Sequence, residues 1–410
     1  MSRLILVIAL VLSNAESKPT AVSKKNIEDF HLNLYKSVTA TKPDDNIFLS
    51  PYSISLALSM VTGGARGKTE KELLDLLQIS SRDKLDPSVK QLMDITRLPE
   101  IKLANRLYPD EKFPILPAFK QRLQKLYNIT LVSADLNAKN VTPAINDINA
   151  WVSNQTDGHI KKALDKNDLA KDKLTQNALL IINCLVFDAK WKNEFQGQNT
   201  RDGNTFFPDT GPPQEKKLTL MMKNGLFPYV DLTSKIGARM IHLPFENKDF
   251  TFTIILPNKD VKLSQVESNL TSALLNTPTT NNKNIYVWIP KWKFEFESKL
   301  ETVLKTKMKI NDIFDSNKAN LKGLSTKKKI YLSNLIHKTY VIVDEKGVRA
   351  AATSIVRIML ATATRSDVNF ICNKPFLYAI RYKQTTLFMG RYVKVIDTSD
   401  MPPMIDGGRG

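Results

Sequence analysis

The chain has 410 residues, 42% of them hydrophobic and 24% charged, with a formal net charge of +18. Those proportions are those of an ordinary globular protein, and the length allows one large core or two to three smaller domains. The charge points to polyanionic partners such as nucleic acid, anionic lipid or sulfated glycans, and it fixes neither a fold nor a reaction.

The chain opens MSRLILVIALVLSNA: Arg3, an apolar run from Leu4 to Leu12, then Ser13 and Ala15. A basic start, an apolar middle and a small-residue end make residues 1–15 a secretory signal peptide, with cleavage expected after Ala15. The competing reading is a buried N-terminal helix. The run is too short to span a bilayer and no later run approaches the needed length, so a secreted, extracellular protein with no membrane partner is expected. Four sequons fit that compartment: Asn128, Asn140, Asn154 and Asn269 are each followed by Thr two positions on, making a glycoprotein.

Next come helix signals. IEDFHLNLYKSV places Ile27, Phe30 and Leu34 at helical spacing. SPYSISLALSMVTGG predicts a helix capped by Ser50, with Pro51 at its first position and Gly63–Gly64 at its end. TEKELLDLLQI predicts another, with Thr69 as the cap and its leucines inward. Between them, GGARGKT imitates a phosphate-binding loop, but Thr62 stands where that pattern needs glycine and the segment follows a helix. It reads as a helix stop followed by a helix start.

Strand signals dominate later. ALLIINCLVF is apolar throughout and reads as a strand buried on both faces, whereas FTFTIILP and KWKFEFE alternate, with Trp292, Phe294 and Phe296 on one face. TYVIVD and TLFMGRYVKVI are further strands. Helices early and strands late predict an α+β architecture, and no linker divides the chain, so one large domain is expected from residue 16 to 396, followed by a flexible tail over 397–410. The two cysteines, Cys184 and Cys372, sit in strand-like runs; they could pair, and two buried free thiols are favoured.

Chemistry-bearing motifs are scarce. His31, His159, His242 and His337 are scattered with no pair at metal-ligand spacing, and there is no G-x-S-x-G elbow. No enzyme, metal or cofactor is expected. Basic stretches are more suggestive: Lys299, Lys305, Lys307 and Lys309 fall on an expected helix, STKKK adds Lys327, Lys328 and Lys329, and HIKKALDKNDLAKDK is a further basic run. For any one of them, a solvated face is the favoured reading. Aromatic interleaving is missing, so nucleic acid is not an expected partner, and a sulfated glycan such as heparin is the better candidate.

An ordered set of segments carries a family resemblance. NIFLSPYSISLALSMVTGGARGKTEKEL, INAWVSNQTDGHI, NCLVFDAKWKNEF, LSNLIHKTYVIVDEKG, NKPFLYAIR and LFMGRYVKV together resemble the serpins, from about Asn26 to Ile396. The resemblance implies a single domain of three β-sheets and eight or nine helices, working as a monomer and carrying an exposed reactive-centre loop over about 345–369. In an inhibitory serpin this loop is bait for a serine protease. Cleavage forms an acyl-enzyme, and the cut loop then inserts as a new strand in the largest sheet, dragging the protease with it.

The loop sequence agrees with a second life as a strand. Alternation puts Val348, Ala350, Ala352, Ser354, Val356 and Ile358 on one face, all small or apolar; both arginines, Arg349 and Arg357, fall on the other with Ala351, Thr353, Ile355 and Met359. A one-residue slip would bury two unpaired arginines. About fifteen inserted residues at ~3.3 Å each carry an attached protease some 50 Å. Serpin hinges usually have Thr or Ser where Val348 stands and Glu where Arg349 stands, so insertion is expected to slow, and a non-inhibitory serpin (carrier, storage protein or chaperone) is the alternative.

By the same resemblance the hinge comprises Glu345, Gly347, Val348, Arg349, Ala350, Ala351, Ala352 and Thr353. Glu345 is expected to pair with Lys291 near Trp191, where the loop first enters. Ser50, Ser53, Asn183 and His337 match a polar cluster under the sheet's opening point. Family spacing places the reactive bond at Ala361–Thr362. Small Ala361 suits an elastase-like protease, Leu360 a chymotrypsin-like one, and Arg365, four residues late, a trypsin-like one.

Overall fold

The computed structural model describes residues 24–169, 178–279, 282–326, 330–348 and 367–396. The expected signal peptide over residues 1–15, Lys327–Lys329, the expected hinge positions Arg349 to Thr353, the expected reactive bond Ala361–Thr362 with its alternatives Leu360 and Arg365, and the tail over 397–410 lie outside the described residues.

Ten α-helical segments appear among the described residues: α1 (Lys24–Thr39), α2 (Pro51–Thr62), α3 (Gly67–Leu76), α4 (Arg82–Met93), α5 (Pro117–Tyr127), α6 (Thr142–Gln155), α7 (Thr233–Ile236), α8 (Leu263–Asn269), α9 (Ser272–Leu275) and α10 (Leu300–Thr306). Two of these, α7 and α9, are single turns of four residues. Every residue of α2 is buried, which explains why its sequence lacks a polar face. Its cap is the expected one: the Ser50 side chain accepts from the Ser53 N–H.

Helix α3 starts earlier than its sequence suggests. Arg66 is the cap position, and Thr69 lies inside the helix, its hydroxyl taken by the Asn320 N–H at 3.0 Å. A tertiary donor therefore replaces the local capping role. The expected helix around Lys305 is shorter than read. Lys299 precedes α10, Lys307 ends it, and Lys309 has φ +62° beyond it. The Ile310 N–H closes back on the Leu304 carbonyl at 2.9 Å, burying Ile310 and stopping the helix.

The strands form three sheets. The first contains β2 (Ile101–Pro109), β3 (Leu179–Phe187), β11 (Leu332–Val343) and β10 (Trp292–Lys299), with the short β4 (Ala189–Lys190) and β12 (Gly347–Val348) at one end. Strands β3 and β11 are parallel neighbours; β2 and β10 flank them antiparallel. The second sheet runs β1 (Ile47–Leu49), β15 (Thr385–Tyr392), β14 (Phe376–Tyr382), β8 (Phe250–Pro257), β7 (Ala238–Pro244), β6 (Gln214–Leu232). The third is β5 (Thr200–Phe206), β6, β9 (Asn282–Pro290) and β13 (Val368–Ile371), so β6, nineteen residues long, joins the last two into one nine-stranded array.

All nine residues of β3 are buried, as its unbroken apolar run requires. The alternation read in FTFTIILP is overridden: β8 is central in its sheet, and only Thr251 escapes full burial. The main core lies between the first two sheets around α2, with aromatic contacts such as Phe48 stacked on Phe388 at 4.9 Å. A smaller core covers the other face of the first sheet, where Ile145, Ile148 and Val152 of α6 pack near Ile182, Cys184 and Ile336. Cys184 and Cys372 are both buried and free.

Candidate functional site

The parallel pair β3–β11 is closed from Leu332 to Tyr340. Beyond that point the strands part, and β12 fills the gap. Val343 of β11 pairs with Val348, and on the other side Gly347 and Val348 pair with Lys190 and Ala189 of β4. Val348 is 0% exposed. A Cβ on Gly347 would meet the Ala189 carbonyl oxygen at 2.2 Å, so only glycine permits this approach.

A tight turn delivers the chain into that slot. The Asp344 carboxylate accepts from the Lys346 and Gly347 N–H groups at 2.8 and 3.0 Å, and the Asp344 N–H donates to the Gly347 carbonyl at 3.0 Å. The segment after β4 grips the turn from outside. Trp191 donates its backbone N–H to the Lys346 carbonyl and its indole N–H to the Asp344 carbonyl, both at 2.9 Å, and the Phe195 N–H donates to the Glu345 carbonyl at 2.7 Å. The Trp191 ring stacks on Phe245 at 4.9 Å, which fixes its orientation.

Lys291 and Glu345 meet here: Nζ lies 3.2 Å from Oε2, with the side chains 12% and 1% exposed. The other carboxylate oxygen accepts from the Thr200 hydroxyl at 2.8 Å. Each oxygen of the buried carboxylate is thus matched, the condition under which a buried ion pair is tolerated. Thr200 and Phe195 were not legible as partners of Glu345. The D-x-x-G spacing of Asp344 and Gly347 was a legible turn signal that sequence reasoning left unused.

Lower on the seam the four polar residues come together. The Ser50 N–H donates to His337 Nε2 at 3.0 Å, so that nitrogen accepts and the proton sits on Nδ1, which donates to Asn183 Oδ1 at 2.6 Å. Asn183 also accepts from the Ser53 hydroxyl at 2.8 Å and donates to the Ser53 carbonyl at 3.0 Å. The Ser50 hydroxyl donates to the Leu387 carbonyl at 2.7 Å, and Thr339 donates to the Phe48 carbonyl. One network therefore ties β3, β11, β15 and the start of α2. Burial pushes the His337 pKa down to about 3, so the ring is neutral.

Two further contacts on the outer face escaped sequence reasoning. Lys338, buried in β11, donates to the Lys162 carbonyl at 2.6 Å and pairs with Glu297 at 2.7 Å. His159 stacks on Tyr340 at 5.5 Å. Both hold the segment after α6 down across β11.

The basic candidates divide. Lys299 pairs with Asp168 at 2.7 Å and Lys305 with Glu301 at 3.2 Å, while Lys307 and Lys309 are exposed. Lys305 also reaches a cavity of about 500 Å³ with Lys68, Asp312, Phe314 and Tyr331 on its walls. The sequon residues Asn128, Asn140, Asn154 and Asn269 are all exposed, Asn154 in the last turn of α6 and Asn128 in the left-handed cap of α5. No group of three metal-ligating side chains occurs among the described residues.

Residues 25–395 match the family model described as serpin (serine protease inhibitor). Leukocyte elastase inhibitor of Xenopus tropicalis is 32% identical over 376 residues, covering 88% of this chain and 97% of that protein. Human serpin B8 is 30% identical over 373 residues, covering 88% and 96%. Among solved structures, uncleaved ovalbumin has a TM-score of 0.80 at 25% identity, covering 92% of this chain and all of that one, and Serpin48 of Tenebrio molitor has 0.79 at 26%, covering 90% and 97%.

Proposed function

The chain belongs to the serpin family of serine protease inhibitors, and from that membership we propose that it inhibits by sacrificing its own loop and inserting it between β3 and β11. The protease serine attacks the bait carbonyl, an ester forms, and the amine side of the loop leaves. The freed N-terminal arm then enters the first sheet. The observation that carries this reading is the seat of β12: Gly347 and Val348 already lie between β11 and β4, directly above the closed part of the seam. Insertion extends a strand that has begun. Each new ladder bond contributes about 1 kcal/mol, and burial of Ala350 and Ala352 adds to it. The uncut fold is then held away from its most stable form by a kinetic barrier.

The bait bond is Ala361–Thr362, and the small Ala361 favours an elastase-like protease, with Leu360 offering a chymotrypsin-like alternative. Similarity to proteins named leukocyte elastase inhibitor supports the first. The protein is secreted after removal of residues 1–15, works as a monomer and carries glycans on its exposed sequons. Exposed Lys307 and Lys309 are open to a heparin-like glycan that would speed inhibition.

The test is incubation with pancreatic elastase, followed by denaturing electrophoresis and mass spectrometry of the released fragment. The expected result is an SDS-stable complex and a fragment beginning at Thr362. Cleaved chain without complex, across elastase-, chymotrypsin- and trypsin-like proteases, would overturn the reading. The alternative is a non-inhibitory serpin, which bulky or charged inward hinge residues would favour; Val348 is uncharged and Arg349 falls on the outward face, so both depart from the usual hinge and slow insertion without abolishing it. Thermal melts distinguish the two, since only an inserting loop raises stability greatly after cleavage.

A further inference from the structure

Arg106 of β2 differs from the other arginines of the described residues. Each of those donates to a carbonyl or a carboxylate, as Arg122 does to Asp86, Arg381 to the Leu275 carbonyl and Arg391 to the Asp45 carbonyl. Arg106 has no such acceptor among the described residues, and its Nε is buried. Its guanidinium lies 3.9 Å from the centre of the Trp151 ring on α6 and 5.9 Å from that of Tyr108, two positions on in β2. The two rings meet edge to face at 6.1 Å. Tyr108 is 3% exposed; the Arg106 charge acts on its hydroxyl, and the hydroxyl proton has no acceptor among the described residues. Arg106 itself is half-buried, so part of its side chain reaches solvent. Asp147, one turn before Trp151 on α6, is exposed and acts on Tyr108 without forming an ion pair with Arg106.

Buried donors of this kind are satisfied by ordered water or by an ion. Water would answer the hydroxyl and leave the positive charge unmatched, whereas an anion answers both. The edge of a guanidinium presents parallel N–H groups to a pair of oxygens. The Trp151 ring covers the plane in which such a pair forms. A flat carboxylate continues that stack, while a tetrahedral phosphate or sulfate would push an oxygen into the ring. The location has a consequence for the sheet: Ile145, Ile148 and Val152 of α6 pack near Ile182 of β3 and Ile336 of β11, so α6 covers the seam that Arg106 flanks from edge strand β2.

We propose that Arg106, Tyr108 and Trp151 form a binding site for small planar organic carboxylates, and that an occupant fastens α6 to the edge of the first sheet. The carboxylate accepts two N–H bonds from Arg106, and the Tyr108 hydroxyl donates to one of its oxygens. With the guanidinium fixed, the surface on which Trp151 rests is fixed too. The inference stands apart from the inhibitory reading, because every measurement uses the uncleaved protein alone.

The experiment titrates the full chain with 4-fluorobenzoate at constant ionic strength and follows the fluorine signal of the ligand by NMR. Saturable binding to one site is expected, with amide hydrogen exchange over residues 148–155 falling as the site fills. Arg106→Gln should weaken binding at least about tenfold. Arg106→Lys keeps the charge but loses the forked edge, so it should weaken binding as well, and it serves if Arg106→Gln does not fold. Asp147→Asn, which removes a competing carboxylate, should bind at least as tightly as the parent. Phosphate at equal ionic strength should not displace the ligand. No saturable binding up to about 10 mM, equal affinity in the parent and both Arg106 variants, or displacement by phosphate as effective as by unlabelled benzoate overturns the proposal.

Discussion

His337 and Asn183 are register partners across the parallel β3–β11 seam, and their side chains are joined by a 2.6 Å hydrogen bond at the place where a strand would have to enter. Separating the strands removes that bond and leaves two buried polar groups to be satisfied anew, each at a cost of about 1–3 kcal/mol. The pair therefore acts as a brake on opening, independent of the ladder bonds above and below it.

Acid should release this brake. His337 has a pKa of about 3 in the fold and an ordinary one when unfolded. The unfolded chain binds the extra proton between those values, so stability is complete above about pH 6.5 and falls as pH drops towards 3. The slope from this group is at most about 1.4 kcal/mol per pH unit. Thermal midpoints from pH 4.5 to 7 should fall less steeply in His337→Gln than in the parent. His242, also lowered, to about 4, titrates in both proteins and cancels from the comparison.

The Lys291–Glu345 pair predicts a non-additive cycle. Glu345→Gln leaves Lys291 without its buried partner and should cost on the order of 3 kcal/mol. Combining it with Lys291→Met removes the orphaned charge, so the double variant should recover much of the loss. Denaturant midpoints of the four proteins give the coupling. Equal losses in the single and double variants would mean that solvent reaches the lysine and that the pair contributes little.

Gly347→Ala tests the seat of β12. Its methyl would overlap the Ala189 carbonyl, so the hinge must leave the slot or the sheet must shift, at about 1–3 kcal/mol. Hydrogen exchange at Val348, slow in the parent because it is paired and buried, should become fast. Protection of Val348 equal to that of the parent would show that the sheet absorbs the methyl.

The bait assignment predicts a change of target. Ala361→Arg should lower the rate of complex formation with pancreatic elastase by about tenfold or more and create complex formation with trypsin. If the trypsin-released fragment still begins after Arg365, the reactive bond lies four residues later than family spacing indicates.

Much of the fold was legible because its signals are local. Ser50 and Pro51 announced α2, and the uninterrupted apolar run of β3 announced a strand buried on both faces. Thr69 misled because its hydroxyl answers a donor 251 positions away instead of its own helix. The Lys305 helix was read too long because only the closure of Ile310 onto Leu304 ends it. Thr200, Phe195, Lys338 and His159 carry no motif; their roles exist only through partners distant in the chain.

By itself the order of residues determined the element types, the family, and the alternation that lets one loop face read as a strand interior, because these follow from side-chain period and local sterics. The tertiary structure alone decided that Gly347 and Val348 are already seated above a closed seam, that Glu345 is matched on both oxygens, and that His337 is neutral with its proton on Nδ1. Those facts depend on which distant atoms share a desolvated space, and no periodicity along the chain encodes that.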